Sequence, residues 1–130
     1  MKQVLDRIQM AELEALGVDT SDASCIWHSY TDANYNPISW MPIFRGEEML
    51  SIEEMRKAFP HTYKEGNLCY AYTLQDILKI LPKPCYINCI DEDFYQCEVT
   101  TEEGSSSTSG KTAITAAFNM LKHCKQNKLI

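Results

Sequence analysis

The chain has 130 residues, 45% hydrophobic and 23% charged, with a net charge of −6 and a pI near 5.0. That length suits one hydrophobic core and that composition suits a soluble globular domain. The acidic balance argues against general nucleic-acid binding, which rests on Lys and Arg neutralising phosphates, and the longest apolar runs, such as "WMPIF", are far too short to span a membrane.

The first segment reads as a helix over 3–16. Val4, Leu5, Ile8, Ala11, Leu13 and Leu16 fall mostly on one side at helical spacing, and Gly17 is a stop signal. Asp6, Arg7, Glu12 and Glu14 interrupt the apolar core that a signal peptide needs. A cytoplasmic protein is the simplest expectation, and its six cysteines are then expected as reduced thiols. "DTSD" at 19–22 is turn-rich, and "SCIWHSYT" at 24–31 reads as a strand. Cys25, Trp27 and Ser29 alternate there with Ile26, His28 and Tyr30. "DANYNP" at 32–37 is a loop, and 38–44 is a second strand. Pro42 confines that strand to a sheet edge or breaks it.

Two helices announce themselves by capping boxes. Ser51 with Glu54 opens one over 51–59, which Pro60 ends. Thr73 with Asp76 opens another over 73–81, with Leu74, Ile77, Leu78 and Leu81 as its buried stripe. Residues 85–90 and 94–100 read as a hairpin around Asp91-Glu92-Asp93. Facing Ile90 with Phe94 sets Cys85 opposite Val99, Ile87 opposite Cys97 and Cys89 opposite Tyr95, all on one apolar face. "GSSSTSG" at 104–110 is a linker by composition, so a flexible loop is expected near 102–111 within a single domain covering 1–130. Thr112 caps a last helix over 113–126, with Ile114, Ala117, Phe118, Leu121 and Cys124 on one side. The elements predict an α+β fold: an antiparallel sheet of three to five strands with helices packed on one face, the last helix lying on the 85–100 hairpin.

Three stretches carry a resemblance: "LEALGVDTSDASCIW", "AYTLQDILKILP" and "GKTAITAAFNMLKHCKQNKLI". In this order they resemble a group of small proteins carried by prophages and integrative elements of gut bacteria. The matching residues are core and cap positions. The resemblance therefore implies an architecture and a setting on a mobile element, and no catalytic residues. The end "LKHCKQNKLI" departs from the group's pattern, placing lysines, His123 and Cys124 where that pattern is apolar.

"GSSSTSGKT" looks like a phosphate-binding loop, G-x-x-x-x-G-K-[ST]. Counting back from Gly110 puts the first glycine at 105, which is Ser105; Gly104 is one place early. Only 18 residues follow Thr112, too few for the sheet such a site needs. What remains is Thr112 as a cap and Lys111 as an anion contact at a helix start. Cys85 and Cys89 have a short zinc-like spacing, but no second pair follows, so no metal site is expected. No nucleophile signature stands near His28, His61 or His123, so no catalytic residue and no cofactor is assigned. The acidic hairpin turn lacks the glycine of a calcium loop; its acids are expected to face the lysines of the last helix. Trp27 and Phe44 are expected inside, with Tyr35 and Trp40 outside as contact candidates. The expected function is a non-enzymatic protein-interaction or accessory factor of a mobile genetic element. The alternative is a small-ligand or nucleotide-binding domain using the 104–112 loop through Lys111 and Thr112. The partner is expected to be another protein; the sequence does not set the oligomeric state.

Overall fold

The computed structural model of the chain describes residues 4–29, 39–46, 50–60, 62–63 and 67–130. Its elements run α1 (Arg7–Ala15), β1 (Cys25–His28), β2 (Met41–Phe44), α2 (Ile52–Ala58), β3 (Leu68–Ala71), α3 (Leu74–Ile80), β4 (Cys85–Asp91), β5 (Phe94–Thr101), β6 (Gly104–Gly110) and α4 (Ala113–Gln126). The class is α+β. Its strands form two antiparallel three-stranded sheets, ordered β2-β1-β3 and β4-β5-β6, rather than one.

Local chemistry fixes the helix starts. Ser51 accepts from the Glu54 N–H while the Glu54 side chain accepts from the Ser51 N–H, and Thr73 with Asp76 repeats the device. α1 opens on a third such box, Asp6 with Gln9, so it starts at Arg7 and not near residue 3. Val4 and Leu5 are extended instead: Val4 bridges to Thr73, and the Leu5 N–H donates to the Tyr72 carbonyl. Ile8 and Ala11, expected in the stripe, are exposed, Ile8 to 74%; Leu13 is buried as expected, and Met10 joins it.

In the first sheet β1 is central. Ile26 faces Met55 of α2, while Cys25 lies on the opposite face with Val4 and Ala71. Pro42 sits in β2, an edge strand, where its missing N–H costs no ladder bond. The Trp27 indole N–H donates to the Leu5 carbonyl at 2.7 Å, and its ring packs half-buried against the Cys25 cluster.

In the second sheet the hairpin register is the expected one: Cys85 opposite Val99, Ile87 opposite Cys97, Cys89 opposite Tyr95. The turn differs. Asp91 pairs with Phe94 and the register shifts between Cys89 and Asp91, so Ile90 is a bulge and the turn is only Glu92-Asp93. Residues 104–110, expected as a flexible linker, are β6, paired with β5 along their whole length. α4 lies across the apolar face of this sheet. Ile114, Ala117, Phe118, Leu121 and Cys124 join Cys97, Val99, Leu5 and Ile77 in the main core. Lys122 of α4 pairs with Glu12 of α1 at 3.3 Å rather than with an acid of 91–103.

Candidate functional site

α3 packs on α4, so their capped N-termini sit side by side, and the β4–β5 turn closes in from the second sheet. Between them lies an open cleft of about 870 Å³, a size suited to a small ligand or a partner's side chain. Thr73, Leu74 and Gln75 form one wall, and Lys111, Thr112, Ala113 and Ile114 another. Glu92, Asp93 and Tyr95 come from the hairpin, Ser24 and Phe44 from the first sheet.

Two lining residues, Ser24 and Thr73, are joined through a buried acid. Asp76 is 6% exposed. Its carboxylate accepts from the Ser24 N–H at 2.9 Å, the Ser24 hydroxyl at 2.5 Å and the Thr73 N–H at 2.9 Å. One buried acid thus ties the first sheet to the start of α3. Thr112, on the cleft wall, accepts from the Thr115 N–H at 3.2 Å, so its hydroxyl is engaged as a cap.

Lys111 is exposed and reaches the cleft wall. It does not follow a phosphate-cradling loop, because residues 104–110 are strand and pair with β5. Gly110 has a different duty: a Cβ there would stand 2.7 Å from the Ala116 backbone nitrogen and 2.8 Å from Thr115 Cγ2. Trp40 is half-buried with the Arg7 guanidinium 3.9 Å above its ring, so it is already covered by a cation. Tyr35 and His61 lie outside the described residues. Phe44, expected inside, is 67% exposed and stands on the cleft's edge. Edge strand β2 turns Ile43 toward Met55, and alternation sends Phe44 the other way. Sequence pattern alone missed Phe44, Gln75 and Ser24, which only tertiary packing brings together.

Of the thiols, Cys25, Cys97 and Cys124 sit in the core, Cys69 and Cys85 are half-buried and Cys89 is exposed. All six cysteines are free. Burial pushes the Cys25 thiol up to about 11. Burial, with the Cys85 thiol 4.0 Å away, pushes Cys97 up to about 12. Cys124, buried beside them, is raised as well, chiefly by burial. Thiols in this state pack as small apolar groups and attack slowly. His28 bonds through Nδ1 to the Tyr63 hydroxyl at 3.1 Å, and burial lowers its pKa. Among the described residues no cluster of three or more His, Cys, Asp or Glu is placed to hold a metal, and no helix is long and apolar enough to cross a membrane. Comparison with protein-family models, curated proteins and solved structures gives no match for this chain.

Proposed function

We propose that this chain works by binding another protein, as an accessory factor of a mobile genetic element, and performs no catalysis of its own. One observation carries the binding part: Phe44, 67% exposed, stands at the edge of a cleft that Leu74, Tyr95 and Ile114 line with apolar surface. A large aromatic beside such a cleft anchors partner side chains, since burying it on association releases far more water than a polar contact does. Glu92 and Asp93 on the adjoining wall favour a partner segment that follows its apolar anchor with a cation. The mobile-element part rests on the resemblance of the three quoted stretches. The test is a paired pull-down from host lysate with wild type and Phe44→Ser. A partner recovered by wild type and lost about tenfold or more with the variant, at unchanged melting temperature, is the expected result. Equal recovery overturns the cleft as the docking point, and turnover in a broad substrate screen overturns the non-catalytic reading.

Lys111 and Thr112 on the same cleft favour a second reading, a small anionic ligand such as a nucleotide. Mg-ATP then raises the melting temperature, and Lys111→Ala abolishes the rise. No shift at millimolar ATP removes this reading and leaves the first intact.

A further inference from the structure

The second sheet has two edges, and they are treated differently. The two-residue turn Glu102-Glu103 joins Thr101 to Gly104, which makes that pair a hydrogen-bonded one. Thr101, Val99 and Cys97 therefore direct their backbone groups at β6, while Gln96, Glu98 and Thr100 direct theirs at β4. The Thr100 N–H indeed donates to the Pro84 carbonyl at 3.2 Å. On β6 the outward groups then belong to Ser105, Ser107 and Ser109. α4 engages this edge at one point, where Asn119 Nδ2 donates to the Ser109 carbonyl at 2.8 Å.

β4 has no such cover. Tyr86 and Asn88 face Glu98 and Gln96 and bond inward. Cys85, Ile87 and Cys89 turn their N–H and C=O groups outward. Among the described residues no backbone hydrogen bond reaches β4 from outside its sheet. The strand's edge guards, the bulge at Ile90 and the charge of Asp91, lie at one end, and the stretch 85–89 holds no charge, no proline and no bulge. Tyr86 is 58% exposed and Ile90 56%.

We propose that β4 pairs antiparallel with β4 of a second copy of this chain, about a two-fold axis at Ile87, to give a continuous six-stranded sheet. The strand is complementary to itself in this register. Ile87 meets Ile87 of the second copy beside the core, and Cys85 meets Cys89. On the solvent face Tyr86 meets Asn88. The regular stretch 85–89 pairs throughout, stopping short of the bulge at Ile90. About six backbone hydrogen bonds form, from three mutually bonded pairs. The pairing ends before Asp91, which lies beyond the bulge, and before Lys83, whose ammonium donates to the carbonyls of Leu78 and Leu81 of its own chain. α4 lies chiefly over β5 and β6, so the helix layers of the two copies do not compete for the seam.

Five paired residues bury little area, so the dimer is expected to be weak and concentration-dependent. Sedimentation equilibrium over a wide concentration range measures it. Wild type is expected to show a reversible monomer–dimer equilibrium. Tyr86→Lys with Asn88→Lys places lysines opposite lysines on exposed positions, and is expected to weaken dimerisation at least about tenfold with an unchanged urea midpoint. A wild type that stays monomeric overturns the proposal. So does a dimer indifferent to the Tyr86 and Asn88 substitutions, or a β4 edge shown by hydrogen exchange to be protected only by a different protein. The Phe44→Ser variant keeps the dimer, which separates this seam from the cleft.

Discussion

Asp76 shows how much one side chain can organise. Its buried carboxyl oxygens accept from two N–H groups and a hydroxyl, so three donors depend on this one side chain. Asp76→Ala removes one half of the α3 capping box, the acceptor for the Thr73 N–H, and leaves the Ser24 donors unpaired. It is expected to cost about 2–4 kcal/mol in urea unfolding, with Asp76→Asn intermediate; a loss under about 0.5 kcal/mol would show that water replaces the carboxylate. Half of this was legible in the sequence. The Thr73–Asp76 box is a local signal that needs no tertiary knowledge. The partner Ser24 lies 52 residues away, and no spacing rule reaches it. Phe44 teaches the converse. Alternation says that Ile43 and Phe44 point apart, and only the position of α2 decides which of them is covered.

At the level of the element, β6 is where composition misled. A run of serines and glycines has low strand propensity and reads as linker. Its neighbours impose the strand. β5 offers an edge, the turn at Glu102-Glu103 returns the chain along it, and Gly104 supplies the positive φ of +119° on leaving the turn. α4 then lies so close that a small residue is required where β6 ends. Gly110→Ala drives a methyl to 2.7 Å from the Ala116 nitrogen, a backbone atom with little room to yield. The expected loss is about 1–3 kcal/mol, seen as a lower urea midpoint, while Ser107→Ala on the exposed face leaves it nearly unchanged. Equal effects would mean that α4 adjusts freely. The β4–β5 hairpin, by contrast, was legible to the residue because its apolar alternation admits one register. Its bulge was not, because a three-residue loop and a two-residue turn with a bulge use the same number of residues.

For the whole molecule, the class and the helix starts follow from short-range chemistry, and the division of strands into two sheets does not. Pro42 narrows β2 to an edge strand or a broken one, and β2 is the edge; the apolar stripe of α4 identifies its sheet-facing side. Nothing in the strand patterns says that β3 returns to β1 rather than joining β4. That choice is made by Val4 and Leu5, which run extended beside Tyr72 and Thr73 and keep the chain after β3 with the N-terminal segment. The cleft is a product of the same assembly. It exists because two capped helix starts, read separately in the sequence, meet where α3 and α4 pack.

The Asn119 contact on Ser109 has a consequence for growth. A sheet open at both sides has a valence of two and can add copies without end, as fibres do. Here the protein's own last helix sets one stopper on one side, Asn119 on the Ser109 carbonyl, while Ser105 and Ser107 stay exposed. With β4 paired as proposed, Asn119 is the side chain that stands against further addition along β6. Loosening that stopper, and not strengthening the seam, is the change that would turn a finite assembly into an open-ended one.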